Sequence, residues 1–253
     1  MRQGDSLAVQ IDELAFGYRR DHQVFPSLSA VFPNGASVLL GPNGAGKSTL
    51  LGLIADTLRP QAGTIRVDGL GSPGDRGNRR RYRRGVAWLP QRSGAFPGLT
   101  AREHVAYCGW LKGLSRSDAW DGSAAALTAV DLAARADVRA TTLSGGQIRR
   151  LGVAGALVSG AQWILLDEPT AGLDPAQRAR FAQVIQNLPS EVSVIVSTHQ
   201  TEDVAATYDH VTVLVDGHVP FSGSVDAFTE PFEGLSPADA ITASYARFTN
   251  EDD

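Results

Sequence analysis

Three short stretches of this 253-residue chain hold residue types whose spacing could do chemistry on a phosphate. The first is GPNGAGKST at 41–49, which follows an apolar run and opens a helical one. Gly44 and Gly46 permit the dihedrals that let the amides from Gly44 to Lys47 wrap a β-phosphate. Gly41, Pro42, Asn43, Ala45 and Thr49 complete the cradle. The Lys47 ammonium is placed to bridge β- and γ-phosphates, and the Ser48 hydroxyl to ligate Mg²⁺. A strand before and a helix after are the context that separates a P-loop from a chance glycine-rich turn.

The second stretch is WILLDEP at 163–169. Asp167 ends an apolar run, and open α/β sheets gather their ligands beyond the carboxyl ends of the strands. An acid there can hold Mg²⁺ through its water shell. Glu168 points to the other face and is placed to polarise an attacking water. The third stretch, LSGGQIRR at 143–150, puts Gly145 and Gly146 in the first turn of a helical run. Each glycine costs about 1 kcal/mol against alanine there. Ser144 and Gln147 stand at capping-box spacing, which explains the helix start but not the glycines. Close approach of another group, such as a phosphate at the helix N-terminus, would explain them.

The elements that must carry these residues read as α/β. LAVQIDEL, LSAVF and ASVLL are strand-like, with Pro33-Asn34-Gly35 as a turn, and suggest an antiparallel layer. A helix is expected from Gly46 to Leu58, a strand at 63–69, a Gly/Arg-rich loop at 71–84 and a short strand at 85–90. From about Thr100 to Ser159 the pattern is helical. Strand and helix then alternate again through AQWILLDE, a helix from Pro175 to Leu188, VSVIVSTH and a hairpin turning at Asp216-Gly217. Apolar strands separated by helices imply a mostly parallel sheet with helices on both faces. The expected division is an α/β core at 1–90 and 160–228, an inserted helical subdomain at 91–159, and a C-terminal helix and tail at 229–253.

Net charge of −4 is too near neutral for broad binding to nucleic acid. One cysteine, Cys108, rules out an internal disulfide and reads as a small buried hydrophobe. The opening MRQGDSLAVQIDEL has no apolar segment of signal-peptide type, and no apolar run reaches the length of a membrane span, so a cytoplasmic location is expected. The run RRRYRR at 79–84 reads as part of a solvated loop, with a nucleic-acid or anionic-lipid patch as the alternatives. Trp88 and Trp163 read as core, and so do Trp110 and Trp120, for which an exposed docking anchor is the alternative. The remaining histidines lack metal-ligand spacing.

With these stretches in this order, the chain resembles the ATP-binding subunit of ABC transporters along nearly its whole length. LSGGQ is that family's signature. The resemblance assigns further roles: Gln91 in WLPQ as the residue sensing Mg²⁺ and the attacking water, and Asp174 in AGLD as the residue communicating across a dimer. It likewise assigns His199 in STHQ to the γ-phosphate and Tyr18 in LAFGYRR to stacking on adenine, with Phe16 a competing ring. It implies that ATP and Mg²⁺ bind, and that two cassettes pack head to tail. Ser144, Gly145, Gly146, Gln147 and Asp174 would then serve the partner's ATP. Implied partners are a second cassette and separate transmembrane permease subunits, at the cytoplasmic face of the membrane.

GLDP and the C-terminal SPADAITASYARFT look similar to exporters of the ABC-2 type, and the chain stops short of the regulatory domain of many sugar importers. Alternatives are a small-solute importer, or a soluble ABC ATPase acting on ribosomes or DNA. Ile148 departs from the polar residue usual after the signature and is expected to alter packing within the helical insertion.

Overall fold

A computed structural model describes residues 8–19, 22–202 and 204–249. Leu7, at the head of the expected first strand, and the tail 251–253 lie outside these. The strands are β1 (Ala8–Arg19), β2 (His22–Pro33), β3 (Ala36–Leu40), β4 (Ala62–Val67), β5 (Val86–Leu89), β6 (Trp163–Asp167), β7 (Ser193–Thr198), β8 (His210–Val215) and β9 (His218–Ser224). The α-helices are α1 (Lys47–Ile54), α2 (Arg79–Gly85), α3 (Ala101–Leu111), α4 (Arg116–Ala129), α5 (Gly145–Val158), α6 (Pro175–Gln186), α7 (Val204–Thr207), α8 (Val225–Thr229) and α9 (Pro237–Thr249).

Two sheets form. An antiparallel one runs β2-β1-β4, and a six-stranded one runs β5-β6-β7-β3-β8-β9 with every pairing parallel except β8 with β9. The mixed sheet is therefore mostly parallel, as the alternation of strand and helix predicts. One expectation is corrected. ASVLL, read with the antiparallel layer, is β3 at the middle of the parallel sheet, hydrogen-bonded to β7 and β8. Its pattern fits that place: Ser37 to Leu40 are all buried, as in a strand covered on both faces.

Period-two alternation divides the core. On β6, Trp163 and Leu165 pack with Leu50, Leu51 and Ile54 of α1 and with Phe25 and Phe32 of the antiparallel layer. Ile164 and Leu166 face Leu151 and Val153 of α5 and Phe181 of α6. A third cluster joins Val38 and Leu40 to Phe228 and to Ile241 of α9. The same parity places Asp167 on the α1 side and sends Glu168 off it. At the far hairpin, Asp216 and Gly217 have φ of +46° and +75°, the two left-handed residues that a tight type I′ turn demands.

The arginine run is the second correction. RRRYRR is not loop but most of α2, which begins at Arg79. Its reason is a partner over twenty residues away in sequence. Asp56, buried and in the left-handed conformation at φ +57°, accepts from Arg79 Nε at 2.8 Å and Arg83 Nε at 2.6 Å, one helical turn apart. Between them the buried Tyr82 hydroxyl donates to the Ile54 carbonyl at 2.6 Å. Lys112, just past α3, donates to the Arg83 and Val86 carbonyls, so α2 ties the end of the P-loop helix to the helical insertion.

Burial alone would push the Asp56 carboxyl up. Hydrogen bonds and charge from Arg79 and Arg83 outweigh it and hold the carboxyl below its ordinary range. A depressed carboxyl contributes stability above its unfolded pKa, and that contribution is lost as pH falls through the folded one. Asp56→Asn is expected to cost about 2 kcal/mol at neutral pH. In urea titrations, the gap to the parent should close as pH drops below about 4. A gap independent of pH would remove the ionised carboxylate from this account.

Candidate functional site

Parallel register brings the site together. Leu89 pairs with Leu166, Asp167 with Ser197, and Leu40 with Thr198. The segments carrying Gln91, Glu168, His199 and Gly41 therefore leave adjacent strands at the same carboxyl edge, where open α/β sheets place their ligands. Gly41 N–H donates to the Thr198 carbonyl at 3.3 Å, fastening the start of the P-loop to the end of β7.

Gly46 adopts φ +103° and carries the N-cap of α1; a Cβ there would meet the Phe25 ring at 2.8 Å. Gly44 has φ +90° and no protein atom within 4 Å of where a Cβ would sit, so its backbone faces outward, as a phosphate cradle requires. The buried Lys47 ammonium makes two hydrogen bonds and one ion pair. They reach the Gly41 carbonyl at 2.6 Å, the Pro42 carbonyl at 3.0 Å and Glu168 Oε1 at 3.3 Å. His199 Nδ1 lies 3.1 Å from each Glu168 oxygen. Glu168 itself is left-handed at φ +46°, which costs a non-glycine residue about 1 kcal/mol.

Ser197 is the residue that sequence reading missed. Its hydroxyl donates to Asp167 Oδ1 at 2.6 Å, and its Oγ and backbone carbonyl both receive the Glu168 N–H, at 3.1 and 3.0 Å. One buried serine thus orients both acids. The signal was faint: a hydroxyl in an apolar strand, opposite an acid that only sheet register pairs with it. Asp167 Oδ2 carries no hydrogen bond among the described residues. No group of three or more His, Cys, Asp and Glu side chains that could hold a metal occurs among them either. A carboxylate, a hydroxyl and phosphate oxygens are the donor set that Mg²⁺ accepts while keeping several waters, so Asp167 and the exposed Ser48 fit that ion.

Tyr18 is exposed, with its hydroxyl 3.1 Å from Thr49 Oγ1 beside the P-loop helix. Phe16, the competing ring, is buried edge-on behind it, so only Tyr18 offers a face to solvent. Gln91 is exposed in the bend after β5.

The signature residues stand apart from the cradle. Ser144 caps α5, accepting from Gln147 N–H at 3.4 Å, while Gln147 Oε1 accepts from Ser144 N–H at 2.9 Å. Among the described residues no hydrogen bond joins 144–147 to the P-loop. Asp174 caps α6, where Pro175 is the first residue. Ile148 lines a groove of about 370 Å³ with Leu89, Phe96, Cys108 and Lys112. Burial pushes the Cys108 thiol up to about 11. Trp163 is buried, Trp88 partly so, but Trp110 and Trp120 are exposed, contrary to their reading as core. Arg102 covers the Trp120 ring at 4.0 Å instead.

A sequence profile described as ABC transporter matches residues 28–171. The uncharacterized ABC transporter ATP-binding protein YxlF of Bacillus subtilis is 32% identical over 217 residues, 86% of this chain and 71% of that one. The arginine transport ATP-binding protein ArtP of Escherichia coli is 34% identical over 219 residues, 83% of this chain and 90% of that one. The chain spans 10–21% of the length of several longer curated relatives. Among solved structures, a bacterial Atm1-family ABC exporter with ATP bound superposes with TM-score 0.75 at 26% identity, covering 98% of this chain and 43% of that one.

Ser197→Ala removes the donor to Asp167 and one acceptor for Glu168 N–H. It is expected to cost about 1–3 kcal/mol of stability. We expect it to lower kcat for ATP hydrolysis several-fold while ATP affinity stays near the parent's. An unchanged kcat would make Ser197 a packing residue only.

Proposed function

Because the chain belongs to the ABC transporter family, as an ATP-binding subunit and an ATPase, we propose that it powers export through separate membrane subunits. The reading is carried by one observation: Lys47, Glu168 and His199 meet at the carboxyl edge of the parallel sheet. The P-loop from Gly41 to Thr49 holds the phosphates, and Tyr18 stacks on the adenine. Phosphate oxygens compete for the Lys47 ammonium with the Gly41 and Pro42 carbonyls and with Glu168. As Lys47 turns to them, the Glu168 carboxylate is released to orient a water and take its proton. Water attacks the γ-phosphorus, the bond to the β-bridging oxygen breaks, and ADP and phosphate result. His199, held at Glu168, would stabilise the charge developing on the γ-phosphate. Mg²⁺ on Ser48 and Asp167, sensed by Gln91, would neutralise phosphate charge when bound.

A second cassette completes each site by bringing Ser144, Gly145, Gly146, Gln147 and Asp174 to the γ-phosphate, where the head of α5 favours negative charge. Hydrolysis removes that contact, and the difference between the two states drives the membrane subunits. The division into a core at 1–90 and 160–228, a helical insertion at 91–159 and a C-terminal piece at 229–253 follows the same reading. Exposed Tyr107, Trp110, Leu111 and Trp120 on α3 and α4 support docking of the insertion on a membrane subunit at the cytoplasmic face. Among the described residues no helix is long and apolar enough to cross a membrane. Export rests on the GLDP and C-terminal resemblance and on the likeness to the Atm1-family exporter.

Glu168→Gln is expected to keep ATP binding and to lose at least about 100-fold in turnover. Ordinary turnover would refute its role. Purified from detergent-solubilised native cells with Mg-ATP, that variant should bring down a polytopic membrane protein with two cassettes; ribosomal or DNA-repair proteins without one would sink the transport assignment. Lys47→Ala is expected to weaken ATP affinity at least about tenfold, the loss of one charge-assisted contact. Equal affinity in a binding titration would take Lys47 out of the cradle.

A further inference from the structure

The two signature glycines sit in different surroundings. A Cβ on Gly145 would meet nothing within 4 Å, and that residue is exposed. Gly146 is buried, and a Cβ there would collide with Gln177 Oε1 in the first turn of α6. That oxygen is the tip of a flexible side chain, so a Cβ at 146 would push the Gln177 amide aside rather than the backbone.

Gln177 is held from its other side as well. Its backbone N–H donates to Asp174 Oδ1 at 2.8 Å, and its side-chain Nε2 donates to Asp174 Oδ2 at 2.6 Å. With Nε2 committed to the carboxylate, the amide oxygen is turned toward Gly146. Both oxygens of Asp174 are thereby fixed by one residue. The Gln177 amide, bonded to Asp174, therefore packs against Gly146 at the head of α5 without a hydrogen bond to it.

We infer that Gln177 is a positioning residue that locks Asp174 and the head of α5 into one rigid surface, and that residue 146 is glycine to admit the Gln177 amide. The inference rests on the proposed action of that surface on a partner's ATP and adds a residue to it. Gln177 touches no substrate in this account. It sets the spacing between Ser144, Gly145 and Asp174 before the partner arrives, so that less ordering is left to dimerisation. A displacement of about 1 Å in such a surface can cost two orders of magnitude in rate.

The test compares Gly146→Ala, Gln177→Ala and the double variant in the full chain. Each is measured for melting temperature without nucleotide, for ATP affinity, and for kcat and KM of Mg-ATP hydrolysis. Gly146→Ala is expected to lower the melting temperature by about 2–4 °C and kcat by about tenfold. Gln177→Ala is expected to lower kcat several-fold with ATP affinity unchanged, because its own cradle is untouched. In the double variant kcat should return to that of Gln177→Ala, and the melting temperature should reach or exceed it, since the collision is gone and alanine favours the helix.

A double variant as impaired as Gly146→Ala overturns the inference, because the glycine then serves something other than Gln177. Wild-type kcat and KM in Gln177→Ala overturn the positioning role. Should Gly146→Ala fail to fold, a folded double variant supports the collision and an unfolded one overturns it. Ser144→Ala, run alongside, separates the two levels. Full turnover there removes the action in trans itself; loss there with wild-type Gln177→Ala removes only the inference.

Discussion

Lys47 and Glu168 form a buried ion pair with the exposed His199 at its rim, and the rest of the fold can be read as what makes that pair affordable. Taking an ammonium and a carboxylate out of water costs several kcal/mol apiece, recovered only when geometry and hydrogen bonding are good. Here Lys47 donates to two carbonyls and pairs with Glu168, whose two oxygens both lie 3.1 Å from His199 Nδ1. Glu168 must also hold a left-handed backbone, which the two acceptors of Ser197 impose through its N–H. A network of this kind is stable only while every member is in place, which suits a site meant to rearrange when phosphate oxygens compete for one of them.

The pair in turn dictates topology. Glu168 and Lys47 come from strands that are not neighbours: β7 lies between β6 and β3. That intervening strand therefore supplies the contacts that no local sequence could. It contributes Ser197 beneath the acids, the Thr198 carbonyl that pins Gly41, and His199 above Glu168. Apolar side chains of Ile195 on one face and Val194 and Val196 on the other fix its register by burial on both sides. A slip of one residue would invert them and carry Ser197 and His199 away from the acids.

What the sequence made legible was local. The strand and helix flanking the P-loop, the Ser144–Gln147 capping box and the Asp216-Gly217 turn each depend on residues within a few positions, and each stands where its local chemistry suggests. What stayed hidden depends on partners far along the chain. Without Asp56 the arginines of α2 look like solvated loop, and only sheet register reveals Ser197 as an orienting hydroxyl. ASVLL carries no mark of which sheet it joins, because an apolar run fits either. Trp110 and Trp120 looked like core because aromatic residues in a helical stretch usually are. Gln177 had a signal that went unread: Asp174 and Gln177 repeat the spacing of Ser144 and Gln147, although here the glutamine side chain donates to the capping carboxylate instead of accepting from the N-cap N–H.

The place of β3 between β7 and β8 also sets an order of events in synthesis. Ala36 pairs with Val194 and Ser37 with His210, so the strand that leads into the P-loop leaves the ribosome far ahead of both its neighbours. Until they follow, a mostly apolar strand has nothing to pair with, and long-range parallel pairing is slow and exposed to aggregation. The nucleotide cradle, encoded near the start of the chain, is thus among the last parts of the molecule to take shape. A nascent chain halted before residue 193 carries the whole phosphate-binding motif yet lacks the strand that shapes it.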